Sequence, residues 1–205
     1  MADMRLSVFR CLSVIAFLAM SGYAAPSSAQ DAPRDTGSGV VIEGFPFPAS
    51  IGDLTRGGTT TYRQSGSGFS VSYQAKAFSW ADIYVYDKDL NLAAPAKDEL
   101  AREMYVVLQA ILLAKDLGKY DAVKVDAASV RDNVASARMT VTSRGTNHAS
   151  FAFLTIAHGK FVKIRFSTTD RKDGQRRAEA FRNAYFQQLR KAVPIIQPKR
   201  DPRFI

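Results

Sequence analysis

Apolar and polar positions alternate at the spacing of β-strands across most of Thr59–Asp87. Phe69, Val71 and Tyr73 fall on one side of that stretch, with Ser70, Ser72 and Gln74 on the other. This two-residue period predicts a half-buried strand. Ser65-Gly66-Ser67-Gly68 precedes it and predicts a turn back from a strand through Thr59-Thr60-Thr61-Tyr62. After Trp80 the pattern changes. Ile83 and Val85 point one way, Tyr84 and Tyr86 the other, so both faces carry large apolar bodies. A strand of that kind is covered on both sides and belongs inside a sheet, with partners for its tyrosine hydroxyls.

Two segments switch to the helical period. Pro95 opens the first, expected over residues 95–117, with Asp98 and Glu99 suited to its positive end. Leu100, Met104, Val107, Leu108, Ile111 and Leu112 form one apolar stripe, and Gly118 ends the helix. The second runs over 173–193 with Ala178, Phe181, Tyr185, Leu189 and Ala192 on one narrow face, and Pro194 stops it.

Four strands fill the space between the helices. Val123 and Val125 alternate with Lys124 and Asp126, and Ala137, Met139 and Val141 with Arg138, Thr140 and Thr142. Phe151 and Phe153 oppose Ala152, Leu154 and Ile156, and Val162, Ile164 and Phe166 alternate with Lys163 and Arg165. Turns at Asp132-Asn133, Arg144–Asn147 and His158-Gly159 are short enough to make an antiparallel meander. Upstream, Val40-Val41-Ile42 is a short strand and Phe45-Pro46-Phe47-Pro48 a lid over the core. Residues 49–58, ending in Gly57-Gly58, read as loop.

The first residues belong to an address. Arg5 and Arg10 precede the apolar run Cys11–Met20, and Ser27-Ser28-Ala29 supplies small residues for a signal peptidase. The run is shorter than the roughly 20 residues of a spanning helix. The expected organisation is a cleaved signal peptide at 1–29 and a flexible leader at 30–39. One α+β domain follows at 40–193, then a basic, proline-containing tail at 194–205. The destination is the periplasm or the exterior. Cys11 is the single cysteine, so disulfides and thiolate chemistry are not expected of the processed chain. The chain carries a net charge of +9, which suits a phosphate-rich envelope partner.

Reaction motifs are sparse. His148 and His158 lie beside turns at opposite ends of one strand, roughly 30 Å apart, too far to share a metal or a proton. Gly66-Ser67-Gly68 joins two strands, whereas a serine nucleophile elbow joins a strand to a helix. No glycine-rich phosphate loop precedes a helix. Asp82, Asp87 and Asp89 lack the glycine and closing glutamate of a calcium loop and read as solvated strand-end carboxylates. No catalytic, metal or cofactor residues are therefore assigned. Nucleic acid is not expected as a partner, and no transmembrane segment is expected in the processed chain. One surface stands out: Lys172, Arg176, Arg190 and Lys191 lie opposite the apolar face of the second helix, flanked by Arg177 and Arg182, as a candidate anion-binding face.

Gly68-Phe69-Ser70-Val71-Ser72-Tyr73 after a hairpin, a mid-chain helix, a meander and a terminal helix together resemble the Mog1/PsbP-like fold over residues 59–193. Gln74 stands where that pattern commonly has proline, and Trp80 lies further on. The chain is also similar to small exported proteins of Gram-negative bacteria. The resemblance implies an antiparallel sheet between helical layers and an accessory or binding role more than an enzyme. The expectation is an α+β fold with six to eight mostly antiparallel strands, helices at 95–117 and 173–193, and layers on both faces. Its function is expected to be that of an exported, non-catalytic accessory or binding protein, its partner an anionic envelope component or another protein. The alternative is a small hydrolase, which would require Asp82, Tyr84, Tyr86 or Arg165 gathered around a perturbed carboxylate.

Overall fold

A computed structural model describes residues 39–76, 78–92 and 96–192, with Ala192 described by its backbone alone. The expected signal segment 1–29, most of the expected leader, Pro95 and the tail 194–205 lie outside the described residues.

The described residues form ten strands and two helices. Strands β1 (Val40–Ile42), β2 (Phe45–Phe47), β3 (Ser50–Ile51), β4 (Leu54–Thr61), β5 (Phe69–Ala75) and β6 (Ser79–Tyr86) come first. Helix α1 (Lys97–Asp116) follows, then β7 (Ala122–Arg131), β8 (Val134–Ser143), β9 (Thr146–Ala157), β10 (Lys160–Thr168) and helix α2 (Gly174–Ala192). β1 and β2 pair alone. The other eight strands make one sheet in the order β3-β4-β5-β6-β10-β9-β8-β7, antiparallel at every pairing. It is an α+β fold. The sheet consists of two chain-local meanders, β3–β6 and β7–β10, which meet along one seam where β6 pairs β10.

Turn chemistry sets the meanders. Glu43-Gly44, Asp132-Asn133, Arg144-Gly145 and His158-Gly159 each place both residues at positive φ, between 49° and 83°. That is the backbone of the two-residue hairpin turn whose twist matches the flanking strands. The β4–β5 connection is longer and rests on the end of β6. The amides of Asp87 and Lys88 both donate to the Gly66 carbonyl, at 3.2 and 2.8 Å. Gly68 lies so close to β6 that a Cβ there would fall 1.9 Å from the Val85 carbonyl oxygen. The repeated glycine of Ser-Gly-Ser-Gly is thus a packing requirement as well as a turn signal.

The sheet is covered on both faces. On one, α2 and the β1–β2 hairpin bury Phe47, Tyr73, Ile83, Phe166, Phe181 and Tyr185 in a single cluster. Phe45 and Phe47 do lid the core, tied down where the Arg56 guanidinium donates to the Phe47 carbonyl at 2.6 Å. On the other face, α1 packs across β7, β8 and β9 and buries Leu100, Met104, Val107 and Ile111 against Met139, Leu154 and Phe161. The helix ends as Gly118 (φ 73°) turns left-handed, with the Gly118 and Lys119 amides donating to the carbonyls of Lys115 and Ala114.

Three expectations change. Residues 49–58 are not simply loop: they supply β3 and most of β4, where an irregular register between Arg56 and Thr59 takes up Gly57-Gly58. Leu108 and Leu112 lie at the margin of the α1 stripe, and Glu103, Ala110 and Ala114 take buried places instead. The alternation of Val162, Ile164 and Phe166 with Lys163 and Arg165 does not give β10 a solvated face, because it lies mid-sheet between β6 and β9 and is buried along both faces.

Candidate functional site

The seam between β6 and β10 sets a row of polar side chains on the α1 face. Register places Ser70, Tyr84, Lys163 and Leu154 side by side across four strands. The next rung toward Trp80 is Ser72, Asp82, Arg165 and Ala152, and the one after it Gln74, Trp80, Ser167 and Ser150. An apolar sheet interior would ordinarily occupy this place. Lys163 is 3% exposed and Arg165 7%. A buried cation is normally paired with a carboxylate. Among the described residues, neither makes an ion pair.

Aromatic rings take that role. The Lys163 ammonium lies over the Tyr84 ring at 4.0 Å, with Tyr86 at 5.5 Å. The Arg165 guanidinium lies 5.5 Å from the ring of Tyr120, which follows α1. Tyr62, leaving β4, closes the row from the opposite side, its hydroxyl 2.9 Å from Ser70 Oγ. Two tyrosines from distant parts of the chain thus flank two cations. Glu103 of α1 accepts from the Tyr86 hydroxyl at 2.8 Å and from Lys88 Nζ, so its charge is already matched.

Burial shifts the titrating groups. The Asp82 carboxyl is pushed up to about 6 by desolvation, against the pull of Arg165 and Lys163. Desolvation lowers the Lys163 ammonium to about 7, opposed by Glu103 and reinforced by Arg165 and Lys88. Burial also raises the Tyr62 phenol, whose bond to Ser70 opposes the rise. A depressed amine, a raised carboxyl and a fixed guanidinium on neighbouring rungs are the kind of grouping found at functional sites. Chemically the row offers two cations, one carboxylate close to its protonation midpoint, and tyrosine and serine hydroxyls. That set suits an anion that can also accept hydrogen bonds.

The sequence-predicted residues fare differently. Asp82 is not a solvated strand-end carboxylate: it lies within β6, partly buried on the row, because β10 and its cations pack alongside. Asp87 is at the strand end and pairs with Lys160, while Asp89 accepts from Ser65. His158 is an exposed turn residue, but His148 is inside β9, packed edge-on against Trp80 at 5.2 Å. Among the described residues, no cluster could hold a metal ion and no helix is long and apolar enough to cross a membrane.

Lys172, Arg176, Arg190 and Lys191 are all exposed. They form two groups, Lys172 with Arg176 before and at the start of α2, and Arg190 with Lys191 at its end. Fourteen residues of helix separate Arg176 from Arg190 by about 20 Å. Arg177 and Arg182 leave the exposed set: Arg177 donates to Ser79 and Asp53 at 2.8 and 2.6 Å, and Arg182 lies 5.0 Å from the Phe153 ring. Sequence reasoning missed Lys163, Glu103 and Tyr120. The available signal was a cationic pair, Lys163 and Arg165, on a strand whose neighbours are apolar on both faces.

No family model and no curated protein matches the chain. Among solved structures it is similar to the solution structure of cyanobacterial PsbP (CyanoP) from Synechocystis sp. PCC 6803. Identity is 11% and the TM-score 0.48, over 76% of this chain and 96% of that one. The architecture described above stands on its own pairing and packing.

Proposed function

We propose that this chain is an exported, non-catalytic binding protein that takes a small organic anion on the polar row of its sheet. The observation that carries the reading is the pair Lys163 and Arg165, each more than nine-tenths buried and neither in a direct ion pair among the described residues, with Asp82 the carboxylate that faces Arg165 across the seam. Burying two cations costs free energy that aromatic contacts only partly offset. An arriving carboxylate or phosphate would supply the missing charge, and Tyr62 and Tyr120 stand where they can flank it.

The test is a binding titration of mono- and dicarboxylates and inorganic phosphate, read by amide chemical shifts. Binding should tighten as pH falls through about 7 to 6, since Lys163 gains its charge and Asp82 loses its own over that range. Lys163→Met and Arg165→Met should abolish it. No shift at the row with any anion would overturn the reading.

A hydrolase is the second reading, favoured by the raised Asp82 carboxyl beside Arg165. Turnover of an ester or phosphate monoester that disappears in Asp82→Asn would put it first. Export rests on Arg5, Arg10, the short apolar run and Ser27–Ala29. Periplasmic protein should have an intact mass starting near Gln30, and full-length protein confined to the cytoplasm would refute it.

A further inference from the structure

We propose that the β5–β6 turn bearing Phe78, together with the loop that opens α2, is a docking surface for an anionic lipid bilayer. Phe78 is 73% exposed, more than any other large apolar side chain among the described residues. Its φ of 47° is left-handed, a conformation that bulky residues rarely adopt. Backbone strain of this kind persists where the surroundings enforce it, and it gathers at sites of contact. Here the end of β10 enforces it: the Thr169 amide donates to the Phe78 carbonyl at 3.3 Å, and Ser79 Oγ to Thr168 Oγ1 at 2.7 Å.

Those bonds bring the cationic loop beside the ring. Lys76, Arg171 and Lys172 are exposed and, among the described residues, make no side-chain ion pair. The nearby carboxylates are already engaged. Asp170 accepts from the amides of Lys172 and Asp173 at 3.1 Å each, Asp173 pairs with Arg176, and Asp53 pairs with Arg177. Asp170 keeps its charge, but Lys76, Arg171 and Lys172 outnumber it, so the surplus charge is positive around a single projecting ring. One apolar tip in a collar of cations suits a headgroup layer, where the ring enters the acyl boundary and the cations meet phosphates. A protein partner would bury a broader apolar patch, whereas the other exposed large apolar residues lie on other elements, Val41 on β1 and Tyr105 on α1. The surface is independent of the anion row. It also divides the basic face expected from the sequence, assigning Lys172, just before α2, to the membrane side and leaving Arg190 and Lys191 at its end out.

Co-sedimentation of the full-length chain with phosphatidylglycerol-containing and pure phosphatidylcholine vesicles tests this, since all variants share the same N-terminal segment. Phe78→Asn, which suits a left-handed backbone, and the double change Lys76→Glu/Lys172→Glu should each weaken binding to the anionic vesicles by about tenfold or more. Arg190→Glu/Lys191→Glu should leave it unchanged, and all variants should melt as the parent does or higher. A tryptophan at the tip (Phe78→Trp with Trp80→Phe) should shift its emission to the blue on anionic vesicles and be quenched by brominated acyl chains. Unaltered binding in Phe78→Asn, an equal loss in the α2 C-terminal pair, or a tip tryptophan that stays in water would each overturn the proposal.

Discussion

Asp82 faces Arg165 directly across the seam, yet its carboxyl is raised to about 6, because burial removes more hydration than the two cations return. The folded chain therefore holds a proton that the unfolded chain has released between pH 3.8 and about 6. Stability falls as pH rises through that window, by about 3 kcal/mol for this group. Asp82→Asn should be more stable than the parent at pH 7 by a similar amount and should lose that part of the pH dependence in urea titrations. Lys163 has the opposite window. Its folded form gives up a proton above about 7 that the unfolded form keeps to 10.5, so stability rises with pH across that range. A backbone counterpart is Gly68, where φ is 61° and a Cβ would strike the Val85 carbonyl. Gly68→Ala should cost about 2 kcal/mol or more, read as a lowered denaturation midpoint.

The helices were legible because each presents one uninterrupted stripe to the sheet. Ala178, Phe181, Tyr185 and Leu189 lie on one face of the sequence pattern and are 4% exposed or less in the structure. Phe181 meets both Tyr73 and Phe166 edge-on or tilted, at 5.5 and 5.9 Å. Removing the chain from Asp173 onward deletes these contacts, worth roughly 1.5–3 kcal/mol for each large side chain. Three such losses approach the 5–15 kcal/mol that holds a typical domain together. The truncated chain should show no cooperative thermal transition. Hairpins were legible for a different reason, since Asp132-Asn133, Arg144-Gly145 and His158-Gly159 each pair a polar residue with one that tolerates left-handed backbone. β3 and the start of β4 were hidden because Gly57-Gly58 looks like a breaker, while here it accommodates an irregularity in a paired strand.

At the scale of the molecule, local pattern cannot say which strands of separate meanders become neighbours. Lys163 and Arg165 alternate with Val162, Ile164 and Phe166, which by itself describes a strand with one wet face. Only the pairing of β10 with β6 and β9 puts that polar side indoors and sets Asp82 opposite Arg165. The candidate site was therefore out of reach of periodicity, although Asp82, Tyr84, Tyr86 and Arg165 were each visible as residues.

The seam has a kinetic and thermodynamic consequence. Each meander closes through short connections, but β6 meets β10 only after α1, β7, β8 and β9 have been traversed, so this pairing carries the costliest chain closure in the sheet. Asp82 and Tyr84 come from one half, Lys163 and Arg165 from the other, and the row does not exist until the halves have docked. An anion held across it would act as a clasp between two folding units, raising the free energy of their separation by its own binding energy. Native-state hydrogen exchange should show the amides of β6 and β10 opening together, and slowing together when an anion binds. Independent exchange of the two strands would mean that the halves do not part along this line.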